Sequence, residues 1–199
     1  MPQTQHHNRS AGLRTLAVLL CMVVTACTTT PTLQDASGIE HTPLQGESGD
    51  IVVVVFSSTD CPIANAMAPD LERAHNEARD ADARFYLVHA RRDLTADPVR
   101  AHAKKYALTM PVLIDRNHAL VKALNASVTP EAVVLQFTGP DEYDVVYQGS
   151  VNNLYSSVGN RRKEITEFHL RDAIRTTAEG TPPTVKHRPP FGCYIERTP

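Results

Sequence analysis

The sequence predicts an α/β fold, a central mixed sheet with flanking helices. Three observations carry that prediction. Ile51-Val52-Val53-Val54-Val55-Phe56 is a continuous apolar, β-branched run, as expected of a strand covered on both faces. Helical and strand patterns then alternate, which argues for βα units laid around a parallel core. Late in the chain the runs Ala132 to Phe137 and Tyr143 to Gln148 flank Thr138-Gly139-Pro140-Asp141-Glu142, a hairpin that adds an antiparallel edge.

Each element follows from local pattern. Ile63 to about Asp82 places Ile63, Met67, Leu71, Ala74, Ala78 and Ala81 at helical spacing, with charges on the other face. Arg84 to Ala90 contains Phe85-Tyr86-Leu87-Val88, a second strand. Pro98 to Leu108 reads as a helix, with Asp97 as N-cap and Pro98 at its first position. Pro111 to Asp115 is a short extended piece, and Ala119 to Asn125 a short helix. Glu164 to Ala178 is the last helix, ended by Gly180.

Outside these elements the composition changes. Thr28 to Asp50 is rich in Thr, Pro, Gly and Ser and aperiodic, and reads as a tether with a short extended piece at His41 to Leu44. From Thr181 the chain is Pro-rich, yet it ends in Phe191-Gly192-Cys193-Tyr194-Ile195, too apolar to leave in water. That tail is expected to pack back on the domain.

The N-terminus reads as a targeting segment. Arg9 and Arg14 supply a positive n-region, and Leu16 to Val24 is an apolar run too short to span a membrane, which takes about 20 residues. Val24-Thr25-Ala26-Cys27 resembles a bacterial lipobox, which implies cleavage before Cys27 and lipidation of its thiol. An ordinary secretory signal, with Cys27 incidental, is the alternative. Thr28 stands where inner-membrane lipoproteins commonly carry Asp, which favours the outer membrane. The expected organisation is a signal peptide at 1–26, a tether at 27–49, a domain at 50–180 and a tail at 181–199.

Loss of residues 1–26 removes Arg9 and Arg14 and leaves 18 Lys+Arg against 22 Asp+Glu, a net charge of −4. This mildly acidic chain has no basic block or aromatic-interleaved patch, so no nucleic-acid partner is expected. Cys21 leaves with the signal and Cys27 is spent on lipid, so Cys61 and Cys193 remain. An exported compartment permits disulfides, and a pair is the default expectation.

Cys61 is the most informative residue. It follows the strand 51–56 and the polar turn Ser57-Ser58-Thr59-Asp60, and it opens the helix with Pro62. There it faces unpaired backbone N–H groups and the positive end of the helix dipole, a setting that favours the reactive thiolate. The Asp60 carboxylate next to it opposes that effect.

These residues resemble the thioredoxin superfamily, in particular its redoxin and peroxiredoxin-like branch, over about Gly49 to Gly180. The resemblance rests on the strand–turn–Cys61-Pro62–helix sequence, on Pro69 eight residues after Cys61, and on Val128-Thr129-Pro130-Glu131 directly before a strand. It implies a thioredoxin-like fold, with Pro69 kinking the helix and Thr129-Pro130 as the cis-proline loop facing the reactive sulfur. Ala64 stands where a dithiol thioredoxin has its second cysteine, and Asp60 where it has Trp. Val54 and Ser58 stand where a typical peroxiredoxin has Pro and Thr, while Pro62 matches its Cys-Pro pair.

The site implied by the resemblance comprises Cys61 as nucleophile, Pro130 shaping access, and Thr129, Pro62 and Ser58 around the substrate. Cys193 is either a resolving thiol that attacks an oxidised Cys61 or one end of a structural Cys61–Cys193 staple. The expected activity is thiol–disulfide exchange on a protein or small-molecule thiol or disulfide, or slow peroxide reduction, in a lipid-anchored envelope protein facing the periplasm. No motif implies a cofactor.

Two other classes stay open. One is a non-catalytic binding or assembly module with the same disulfide. The other is copper delivery, with Cu(I) held by Cys61, Cys193 and one of His41, His75, His89, His102, His118, His169 or His187. None of these histidines has a short metal-ligand spacing. His75 and His102 read as helix-surface residues. Asn152-Asn153 reads as a polar loop and Arg161-Arg162-Lys163 as solvated surface.

Overall fold

The structure is a computed structural model. It describes Met1 and residues 30–157 and 159–196. The expected signal peptide and Cys27 lie outside the described residues.

In chain order the elements are β1 (Leu33–Gln34), β2 (Glu40–His41), β3 (Ile51–Ser57), α1 (Pro62–Ala66), α2 (Ala68–Asp80), β4 (Arg84–His89), α3 (Ala96–Tyr106) and β5 (Val112–Ile114). They continue with α4 (Ala119–Ala123), β6 (Val128–Thr129), β7 (Glu131–Gly139), β8 (Glu142–Gly149), β9 (Tyr155–Ser157), β10 (Asn160–Arg161), α5 (His169–Ala178), β11 (His187–Arg188) and β12 (Cys193–Tyr194). The main sheet runs β11-β8-β7-β3-β4-β5. β3, β4 and β5 are mutually parallel, while β7 is antiparallel to β3 and β8 to β7. The mixed sheet with flanking helices is a thioredoxin-like fold.

The apolar run of β3 has a direct structural cause. Val53 and Val55 pack with Leu71, Ala74 and Ala78 of α2 and Ile174 of α5. Val52, Val54 and Phe56 face the other side, against Leu120 and Val121 of α4, Leu33, Leu44 and Ile195. With both faces covered, no position from Ile51 to Phe56 is left for a polar side chain, and the one polar residue, Ser57, stands at the strand's end. Among the described residues no helix is long and apolar enough to cross a membrane.

Several element ends differ from the sequence expectation. The helix after Cys61 is broken at Met67, between α1 and α2. Pro69 lacks an N–H to donate, and its ring crowds the carbonyl one turn earlier. α3 begins at Ala96 with Thr95 as N-cap, so Asp97 and Pro98 fall inside the first turn. Proline is tolerated there because first-turn N–H groups have no helical partner. The last helix begins at His169 rather than Glu164. Asn153 Oδ1 accepts from the N–H groups of Thr166 and Glu167 and holds that stretch as a loop.

The segment expected as a tether at 27–49 is folded onto the sheet from Leu33. β1 pairs antiparallel with β2, and Asp35 bridges to Leu113. Leu33, Ala36 and Leu44 are buried, too few and too unevenly spaced to produce a periodic signal. The Pro-rich tail crosses the sheet edge. β11 pairs parallel with β8, then β12 pairs antiparallel with β6, and the Ile195 N–H donates to Ser127 O.

Gly149 makes the first of these pairings possible. Its φ is +145°, and a Cβ there would lie 1.8 Å from the Arg188 carbonyl oxygen. Gly149→Ala is therefore expected to detach β11 and to cost roughly 2–3 kcal/mol. Urea unfolding would show the loss, and limited proteolysis would show earlier cutting beyond Thr181.

Candidate active site

The site lies where β3 ends. The turn after Ser57 brings Cys61 to the N-cap position of α1, in an extended conformation, with Pro62 exposed at the first helical position. Cys61 is 2 % exposed. Its sulfur accepts from the Ala64 N–H at 3.5 Å and lies 3.1 Å from the Thr129 carbonyl oxygen. The Thr129–Pro130 bond is cis.

Cys193 arrives from the far end of the chain. Its pairing with Thr129 across β12 and β6 aims the side chain at Cys61. The preceding residue must be glycine, because a Cβ on Gly192 would lie 1.9 Å from the Thr129 carbonyl oxygen. Thr129 Oγ1 donates to the Cys193 carbonyl. The two sulfurs are 2.7 Å apart, with the Cys193 thiol donating to Cys61. Both are free thiols, and closure to a bond of about 2.05 Å needs a shift below about 1 Å.

The two thiols are driven in opposite directions. Burial pushes the Cys61 thiol up, but the hydrogen bond from Cys193, the Ala64 N–H and the Thr129 side chain together hold it below the ordinary value. Burial pushes Cys193 up to about 11, with its bond to Cys61 and the charge there acting the same way. Cys61 is thus the favoured thiolate and Cys193 the proton holder. The opposition expected from Asp60 is blunted, because that exposed carboxylate is paired with Arg91.

A cavity of about 250 Å³ opens beside both sulfurs. Ser58, Thr129, Cys61 and Cys193 line it, whereas Pro62 and Pro130 do not. The structure therefore gathers four of the expected residues around one space and leaves the two prolines out of its lining. Two further residues were not singled out for this site from sequence. Glu131, 2 % exposed, accepts from the N–H groups of Ser127 and Val128 and from Gln148 Nε2, and so holds the loop that carries Thr129. His89 ends β4 beside Ser57, lines the cavity and is 1 % exposed. The available signal was a histidine closing the next parallel strand, which brings it to the same sheet end as Cys61.

His102, expected on a helix surface, is buried. Its Nε2 bonds Asn65 Oδ1 at 2.7 Å, and Asn65 Nδ2 donates to Thr59 O in the turn before Cys61. Asn152, expected in a polar loop, is buried too, and donates to Asp70 Oδ2. Among the described residues no group of three or more His, Cys, Asp or Glu is arranged to hold a metal ion.

The redoxin family profile matches residues 23–156. The chain belongs to the redoxin family. No curated protein matches it. Among solved structures, this redoxin is similar to a hypothetical protein from Sinorhizobium meliloti 1021, with a TM-score of 0.71 and 24% identity over 84% of this chain and 91% of that one. An uncharacterized conserved protein from Geobacillus kaustophilus gives 0.68 and 21% over 85% and 90%. A secreted Mycobacterium tuberculosis disulfide oxidoreductase homologous to E. coli DsbE gives 0.50 and 18% over 76% and 96%.

His89 supplies a pH signature for this redoxin. Burial pushes its imidazole down to about 4, with His102 adding to the effect against the Ser57 backbone. The Ser57 backbone contact is too poorly aligned to count as a full hydrogen bond, so neither buried ring nitrogen is well satisfied among the described residues. The unfolded chain takes up this proton near pH 6.5 and the folded one only near 4, so stability is full above 6.5 and falls as pH drops between them, by about 3 kcal/mol at most. His89→Gln is expected to flatten the fall in Tm between pH 6.5 and 4, measured by thermal unfolding across that range.

Proposed function

We propose that this redoxin is a thiol–disulfide oxidoreductase working through Cys61 and Cys193. The supporting observation is the pair itself: two free thiols at 2.7 Å, one favoured as thiolate and the other holding its proton. A staple needs closeness alone, whereas an exchange couple also needs a nucleophile and a partner that resolves it.

The chemistry is as follows. The Cys61 thiolate attacks one sulfur of a substrate disulfide. That S–S bond breaks, and the leaving thiolate takes up a proton. Cys193 then gives up its own proton and attacks Cys61 in the mixed disulfide. The second substrate thiolate departs and takes that proton, leaving a Cys61–Cys193 disulfide. The substrate gains two electrons from the protein and two protons, one from solvent and one from Cys193. Ala64 at the usual second-cysteine position means that resolution falls to the tail instead of the adjacent helix turn.

We place this activity in the bacterial envelope, with residues 1–26 as signal and Cys27 as the lipid-bearing residue at the outer membrane. The secreted Mycobacterium tuberculosis oxidoreductase of the same fold is in keeping with an exported site of action.

Oxidation of the full chain is expected to give one Cys61–Cys193 disulfide with a reduction potential above about −300 mV, as suits a working couple. Cys61→Ser should lose turnover of a model disulfide to background, while Cys193→Ser should accumulate a mixed disulfide on Cys61. A potential well below that value, with activity unchanged in Cys61→Ser, would make the bond a staple.

The anchor has its own test. Cells fed labelled palmitate should label the native protein and not Cys27→Ser, and the variant should leave the membrane fraction. Equal membrane retention of both would remove lipid attachment from the proposal.

A further inference from the structure

The exchange chemistry can serve many disulfides, and the walls around Cys61 choose among them. We propose that its oxidising substrate is a low-molecular-weight disulfide carrying positive charge, an aminothiol disulfide, taken up in the cavity beside the two sulfurs. The proposal rests on the exchange reading and names the substrate class for that same site.

Size follows from what the tail covers. An extended polypeptide binds by adding a strand to a free sheet edge. The edge beside Cys61 is β6, and it is already taken. Cys193 pairs with Thr129, Tyr194 pairs with Val128, and the Ile195 N–H donates to Ser127 O. The Gly192 backbone lies so close to Thr129 that a Cβ would sit 1.9 Å from the Thr129 carbonyl oxygen. A second strand cannot enter there while the tail is in place. Cys61 itself is 2 % exposed. What remains beside it is the cavity of about 250 Å³, smaller than the sites of about 300–1,000 Å³ that hold drug-sized molecules.

Charge follows from the lining. Asp60 and Glu196 stand at the cavity against one cation, Arg91, so the lining is acidic by one charge. Arg91 is also shared, because it bonds Asp93 at 2.7 Å as well as Asp60. The thiolate form of Cys61 adds charge of the same sign. His89 lines the same space, 1 % exposed, with its ring nitrogens not well satisfied among the described residues. A neutral imidazole nitrogen accepts from an ammonium group. Leu94 and Ile195 give the short carbon chain an apolar wall.

The Cys61 thiolate forms a bond to one sulfur of the aminothiol disulfide as its S–S bond breaks. The first aminothiol leaves as thiolate and takes a proton from solvent. Cys193 then attacks Cys61 and gives its proton to the second aminothiol as that leaves. The substrate is reduced by two electrons to two aminothiols, and the Cys61–Cys193 pair is oxidised by two.

The test is single-turnover oxidation of the reduced full chain, with acid quench, alkylation of remaining thiols and mass measurement of the Cys61–Cys193 bond. Four oxidants are compared: cystamine, neutral hydroxyethyl disulfide, anionic dithiodiglycolate, and a disulfide-linked dimer of a cationic nine-residue peptide. Each rate constant is divided by that of β-mercaptoethanol with the same oxidant, which removes intrinsic differences between leaving groups. At low salt cystamine is expected to exceed the neutral disulfide about fivefold, and the anionic one by more. These ratios should shrink toward one in about 0.5 M salt and in the double variant Asp60→Asn/Glu196→Gln. The peptide dimer is expected to react at least about tenfold more slowly than cystamine. A neutral or anionic disulfide as fast as cystamine, ratios unmoved in the double variant, or a peptide dimer as fast as cystamine overturns the inference and leaves the exchange reading standing. A reduced chain that none of the four oxidises overturns both.

Discussion

The site depends on a strand that has no free face. β3 is hydrogen-bonded on both edges and covered on both sides, with Val52 to Phe56 completely buried. Such a strand is held by two cores at once, and where it ends the chain must leave the sheet abruptly. The polar residues Ser58 to Asp60 make that exit, and Cys61 is fixed at the start of α1 as a consequence. Pro69 interrupts the helix soon afterwards, so α1 is short and the cysteine cap is rooted mainly in the strand behind it.

A second constraint acts from the opposite side. The loop carrying Thr129 is organised by the buried Glu131 carboxylate, which satisfies two backbone N–H groups and the Gln148 amide. A carboxylate so placed replaces water with fixed donors and makes the loop a firm edge. The C-terminal strand is laid on that edge, with Gly192 permitting the approach and Ile195 buried in the same core as Val54 and Phe56. Cys61 is thus held by the centre of the sheet and Cys193 by its periphery. Thiol chemistry at the junction reports on both.

Much of this was legible in local pattern. The apolar run of β3, the alternation that follows it and the late hairpin are period and composition effects, which neighbours in sequence determine. Cys61 stood out because a strand–turn–helix junction has the same chemistry wherever it occurs. The differences between local pattern and structure have physical causes as well. Thr95 replaced Asp97 as the cap of α3, since the first turn accepts proline at more than one position. Asn153 held residues that otherwise resemble a helix start. The hairpin at β1 and β2 was hidden because three buried side chains make no period. His102 looked like surface because α3 packs its histidine against Asn65 and His89, contacts that helical spacing alone does not reveal.

The sequence by itself determined the βα order, the thiol at the head of the first helix and the lack of a second cysteine one turn on. These are local matters, set by side-chain size, turn chemistry and backbone donors within a few residues. Only the tertiary structure decided which distant groups meet that thiol. Cys193 at 2.7 Å, the Thr129 carbonyl, the Arg91 that pairs with Asp60 and the buried His89 all come from other elements. Their approach depends on strand register and on two glycines that admit a second backbone, and long-range pairing of that kind leaves little trace in the residues on either side.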